Sequence, residues 1–200
     1  MRRMTRTLAI ATLLATALLT AGCEAPFPEA PASVGEQYPS GGVPLDVAWP
    51  SDWLEGFVAE PNSPPGPIVG LRLEYTAQRW VWRVRSLDPG RDVFGDSVTE
   101  PERGWEALYD ASTLAVVREQ QVTLTAAELE GADEPGRISA AGAARQSGER
   151  YPSPRLIELA RVEADEGSVW RVTMYDTETG MQSTVVLDSD RRESEPPDSE

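Results

Sequence analysis

The sequence predicts an α+β fold of two tandem units, each a short helix packed on a three- to four-stranded antiparallel sheet. Three observations predict it. The tetrapeptide Val81-Trp82-Arg83-Val84 returns as Val169-Trp170-Arg171-Val172. Each copy sits in a run that alternates apolar and polar residues, the period of a half-buried strand. Each copy has a shorter strand-like run before it and another after it, with a helix-prone stretch further upstream. The match extends beyond the tetrapeptide: Leu71-Arg72-Leu73-Glu74 answers to Ala160-Arg161-Val162-Glu163, and Tyr109-Asp110-Ala111-Ser112 to Leu187-Asp188-Ser189-Asp190. The period is too long for most solenoids, so the chain reads as a pair rather than an array.

The elements follow in order. Met1 to Thr5 and Arg6 form a positive region, and residues 8–19 are an apolar run rich in Ala and Leu, the layout of a signal peptide over residues 1–22. The run is short for a transmembrane helix, which needs about 20 residues. Residues 23–50 are rich in Pro, Gly, Ala, Ser and Glu and predict a flexible tether that lifts the folded part off the membrane. The first unit spans residues 51–122. It opens with a short helix near residues 50–58, capped by Ser51 or Asp52, with Trp53, Leu54, Phe57 and Val58 on one face. Strands follow at 69–75 and 79–87, joined by a tight turn at Ala77-Gln78. They put Trp80, Trp82 and Val84 on one face and Val81, Arg83 and Arg85 on the other. The loop 88–103 carries Asp88, Asp92, Asp96, Glu100 and Glu102. Spaced acids can ligate calcium, but these lack the Asp-x-Asp-x-Asp-Gly order, and a solvated acidic loop is the simpler reading. A third strand runs over 105–110, and 114–118 extends it after a turn.

The second unit spans residues 123–190. Thr125 with Glu128 three residues on is a capping pair. Residues 139–146 are helix-prone, and strands follow at 156–164, 168–175 and 181–188, separated by the turns Asp165-Glu166-Gly167 and 176–180. Residues 191–200 are polar and acidic and read as a disordered tail.

Composition excludes several chemistries. The chain of 200 residues has no His and one Cys. Neither a Ser-His-Asp nor a Cys-His pair can be built, nor a Cys/His zinc site, nor an intramolecular disulfide. All 18 basic residues are Arg, and three of them precede Cys23, leaving 15 against 33 acids from Cys23 onward, a net charge of −18. Such a surface repels phosphate backbones, so no nucleic acid is expected as a partner. No cofactor or metal is expected either.

The residues Thr20-Ala21-Gly22-Cys23 resemble the lipobox of bacterial lipoproteins, with Thr20 where Leu is commonest. The resemblance implies cleavage between Gly22 and Cys23 and a diacylglyceryl group on Cys23. Two acyl chains suffice for stable anchoring. The expected location is the extracytoplasmic face of the cell membrane, lipid-anchored.

The order of helix, strand, turn, Val-Trp-Arg-Val strand, turn and closing strand with an acid near its end resembles the PepSY domain. Residues 138–191 fit it better than 51–118, which hold a weaker helix and a long insertion. PepSY domains occur in secreted and membrane-anchored bacterial proteins and are associated with restraint of peptidases and binding at the cell envelope. They carry no catalytic residues, so the resemblance implies a non-catalytic binding or inhibitory module with a peptidase or another envelope protein as partner. Alternatives are a structural envelope spacer, or an inhibitor of a secreted enzyme similar in layout to the tandem-repeat β-lactamase inhibitor proteins. A carboxylate-pair hydrolase finds no recognisable setting among the acids. The repeated Trp82 and Trp170 read as core. Trp80 and Trp105 have no aromatic counterpart in the second unit; they are candidate partner-binding residues where they lie on an exposed sheet face, with packing within the fold as the alternative. Arg83 and Arg171, on the opposite face, are expected to be solvated or paired across strands.

Overall fold

The computed structural model describes residues 26–57, 63–88, 90, 102–133, 138–165 and 167–187. Helix α1 (Pro50–Phe57) leads into four strands, β1 (Ile68–Thr76), β2 (Arg79–Leu87), β3 (Arg103–Asp110) and β4 (Val116–Thr123). Helices α2 (Ala126–Asp133) and α3 (Ala140–Gln146) precede β5 (Arg155–Ala164), β6 (Gly167–Tyr175) and β7 (Gln182–Leu187). The class is the α+β one expected. No helix among the described residues is long and apolar enough to cross a membrane.

The strands form one antiparallel sheet of seven, in the order β4-β3-β2-β1-β5-β6-β7. Two separate sheets were expected. Joined through Gly70–Arg72 and Glu158–Ala160, β1 and β5 each lose an exposed edge, whose unpaired amides and carbonyls two separate sheets would leave open. Helices α1 and α3 pack against each other, and one apolar cluster runs beneath both from Tyr109 on β3 to Met174 on β6. Trp82 and Trp170 are fully buried within it, as their repetition predicted.

The two central hairpins match in detail. Each closes after a two-residue turn, Thr76 pairing with Arg79 and Ala164 with Gly167. In the first turn Ala77 and Gln78 both take positive φ, 48° and 61°, the geometry that suits the twist of a hairpin. Each ladder then shifts register at the same place, between Ile68 and Gly70 and between Leu156 and Glu158, positions 88 residues apart. Leu73 faces Trp82 and Arg161 faces Trp170, so the strand alignment read from sequence is one residue out: Leu73, not Arg72, corresponds to Arg161. Tyr109 and Leu187 do correspond, each opposite the repeated Trp.

Local signals were mostly placed where the sequence put them. The Glu128 carboxylate accepts the Thr125 amide at 2.8 Å while the Thr125 hydroxyl accepts the Glu128 amide at 3.3 Å, a reciprocal capping box. Ser139 caps α3 through the Gly142 amide at 3.1 Å. The start of α1 differs. Its Ser51 amide and hydroxyl donate to Glu149, at 3.1 and 2.7 Å, so the cap comes from 98 residues away rather than from Ser51 or Asp52 accepting locally.

Candidate functional site

Strand alternation gives the sheet two faces. One carries the apolar cluster. The other presents a row that the registers carry across all seven strands: Arg118, Leu108, Arg83, Arg72, Glu158, Thr173 and Thr184. The adjacent row is Gln120, Glu106, Arg85, Gly70, Ala160, Arg171 and Val186.

These rows build a charged network. The Arg83 guanidinium donates two parallel bonds to Glu74, Nε to Oε1 at 2.7 Å and Nη2 to Oε2 at 2.8 Å, and a third from Nη1 to Glu106 at 2.7 Å. Arg85 donates to the other Glu106 oxygen at 3.0 Å and in parallel to both oxygens of Glu128, at 2.6 and 3.0 Å. Glu128 thus caps α2 and holds Arg85. On the other side of β1, Glu158 lies 3.9 Å from Arg72 and 3.4 Å from Arg171 and accepts the Thr173 hydroxyl at 3.0 Å. The four arginines and four glutamates balance. Glu74 and Arg83 are buried, which only fully paired charges tolerate.

Over this face runs the segment expected to be a free tether. The Arg118 guanidinium donates to the Pro26 carbonyl at 2.8 Å, and Arg83 Nη2 to the Pro28 carbonyl at 2.9 Å. The Phe27 ring lies 5.3 Å from the Arg83 guanidinium carbon. Gln182, on the far edge strand, donates to the Val34 carbonyl at 3.1 Å. Residues 26–34 therefore strap the sheet from β4 to β7. The chain then turns around the end of the sheet: the Tyr38 hydroxyl donates to the Leu73 carbonyl at 2.9 Å, and Val43 and Val47 are buried in the core. Within the described residues, 26–49 are part of the fold. Composition misread them because their partners are carbonyl acceptors and scattered apolar contacts, not a periodic face. Beneath Ala30 the strap leaves a cavity of about 310 Å³, lined also by Gly70, Arg72, Glu158 and Thr125. Two buried nitrogens of Arg72, Nε and Nη2, make no hydrogen bond.

The expected partner residues are not brought together. Trp80 is half-buried, in an aromatic group with Tyr38, ring centroids 4.7 Å apart, and Tyr75, 5.2 Å apart. Trp105 lies on the same face but opposite Ser86, six residues further along β2 and about 20 Å away by strand rise. Burial alone would raise the Asp88 carboxyl, but hydrogen bonds from the Gly90 amide, Arg103 and Trp105 bring it below the usual range. Trp80 and Trp105, both half-buried, therefore do not form one patch. Gly22 and Cys23 lie outside the described residues, as does most of the acidic loop 88–103 and with it the calcium reading. Among the described residues no three acids are grouped to hold a metal ion. Arg83 is buried and Arg171 half-buried, both paired across strands, one of the two roles expected.

One titratable group stands apart from the network. Burial pushes the Glu149 carboxyl up, against hydrogen bonds from Ser51 and Leu156 and the charge of Arg155. A carboxyl raised in the folded state favours folding below its unfolded pKa, and that contribution is lost as pH rises through the folded value. The melting temperature of the parent relative to Glu149→Gln is therefore expected to fall as pH is raised from below 4.5 toward neutrality. A difference that stays constant or grows with pH overturns this assignment.

No family model matches the chain, and no curated protein does. Among solved structures it is similar to the crystal structure of a candidate lipoprotein from Clostridium difficile 630, at 14% identity, over 62% of this chain and 84% of that one, with a TM-score of 0.29. At that TM-score the likeness says nothing about this protein's fold or role.

Proposed function

We propose that the chain is an envelope lipoprotein, anchored through Cys23 on the extracytoplasmic face, whose folded part is a non-catalytic binding module of two fused PepSY-like units. The repeated hairpin, with its register shift 88 residues apart in both copies, supports the duplication. The carboxylates that converge on the sheet are held by arginines, which suits a scaffold and not a pair of catalytic acids.

One observation carries the binding role. Strand β7 is an edge strand, Gln182-Ser183-Thr184-Val185-Val186-Leu187, with no charge and no Pro, and Val185 and Val186 are 45% and 61% exposed. Natural edges are normally blunted by charge, Pro or a cover, and an open one is a template for an added strand. The partner is an extended, basic-flanked segment of another envelope protein, complementary to a chain of net charge −18 from Cys23 onward. A spacer role has less support, because the strap removes the length a spacer needs.

The mature Cys23→Ser chain, immobilised, is expected to retain a partner from envelope extract. Val186→Lys, which places a charge on the edge, should retain at least tenfold less. Equal retention by both chains, or a parent that retains nothing and elutes as a dimer, overturns the proposal.

A further inference from the structure

The geometry points to the β4 edge as the face that rests on the membrane, with the β7 edge held away from it. This rests on lipid attachment at Cys23, and the strap supplies the rest. Cys23 and Pro26 are three residues apart, and three extended residues span at most about 11 Å. Whatever path they take, the Pro26 carbonyl is fixed at the β4 edge by Arg118. A lipid on Cys23 therefore holds the outermost strand within about 11 Å of the headgroups, and the folded part cannot stand off on a spacer.

The surface around that point fits the headgroup layer. Val116 and Val117, neighbours of Arg118, are each 40% exposed, at the point where the β3–β4 ladder shifts register. An apolar pair beside an Arg suits the interface between headgroups and acyl chains. Lying flat on the strapped face is disfavoured: Glu29 and Glu36 are exposed along that side and an anionic leaflet repels them, whereas the one exposed acid of β4, Glu119, is offset by its neighbour Arg118. Standing on β4 places β7 six strand spacings away, about 29 Å further from the bilayer. Strand β7, beside which no further strand pairs among the described residues, is then the edge a partner reaches.

Cys23 is the only Cys, so once it carries lipid an introduced thiol is the sole label site. The full mature lipidated chain, in phosphatidylcholine–phosphatidylglycerol vesicles bearing a headgroup acceptor dye, would carry a donor dye at Gln121→Cys on β4 or Ser183→Cys on β7, both exposed. Energy transfer is expected to be several-fold greater from position 121. A ten-residue Gly-Ser insertion between Ala25 and Pro26 should make the transfer from the two positions nearly equal, with the fold from Pro26 onward unchanged. Equal transfer from both positions, greater transfer from 183, or no response to the insertion overturns the orientation. Mass analysis of the chain first separates this from the anchoring itself: a mature chain without a diacylglyceryl group on Cys23 removes the anchor on which the orientation rests.

Discussion

Glu74→Ala is expected to cost about 3–5 kcal/mol of folding stability, because it leaves the Arg83 guanidinium buried with half its bonds removed. Arg83 donates in parallel to both Glu74 oxygens, at 2.7 and 2.8 Å, and Glu74 is only 1% exposed. Burial lowers the tendency of Arg83 to hold its proton, and bonds and charge from Glu74 and Glu106 more than restore it. Glu106 alone then faces Arg83 while also serving Arg85 at 3.0 Å and Gln120 at 3.1 Å. The strap is coupled to the same event, since Arg83 also holds the Pro28 carbonyl. The double replacement Glu74→Leu with Arg83→Met removes both charges and should be much milder than either single change, since apolar groups of similar volume often replace a buried pair with little loss. Urea unfolding of the two singles and the double closes the cycle. A cost below about 1 kcal/mol for Glu74→Ala, or a double as damaging as the sum of the singles, sinks the claim that the pair is a unit.

Much of this fold was legible locally, and the reason is that its turns and caps are chemical. Ala77-Gln78, the Thr125–Glu128 box and Ser139 each act within a few residues, so sequence spacing is enough to place them. What was not legible depends on distant partners. The continuity of the sheet rests on a short pairing of β1 with β5, and a strand with one apolar face reads the same whichever neighbour it has. The strap is bound by partners 55, 92 and 148 residues away, in a segment whose Pro and Ala content looks like a linker. The charged face could have been read further. Arg72 and Glu74, Arg83 and Arg85, and Glu106 all fall at the same parity of adjacent strand-like runs, and opposite charges meeting across strands stabilise the pairing. An aromatic lacking a counterpart in the other copy does not reveal from sequence what covers it: Trp80 meets Tyr38 from the wrapping chain.

The repeated tryptophans supply the other large effect, and they should part company under a smaller change. Truncation to Ala is expected to cost about 3–5 kcal/mol at either position, since both rings are fully buried. Replacement by Phe separates them. The Trp170 indole donates to the Ile138 carbonyl at 2.8 Å and its ring centroid lies 4.1 Å from the Arg161 guanidinium carbon, so Trp170→Phe loses a buried hydrogen bond and weakens a cation–π contact along with losing ring volume. The Trp82 indole N–H is buried with no hydrogen-bond partner. An unpaired buried donor costs about 1–3 kcal/mol, so Trp82→Phe relieves that cost while losing volume, and the two changes offset. Thermal or urea melts should place Trp170→Phe below Trp82→Phe by at least about 1 kcal/mol. Equal losses would mean that the two copies of Val-Trp-Arg-Val bear the same load. The expected gap means that one copy packs its ring against α1, where Trp53 lies 6.2 Å from Trp82. The other uses its ring to fasten the segment before α3 to the sheet through Ile138. A single tetrapeptide would then serve two fastenings, distinguished only by what the chain brings to its indole nitrogen.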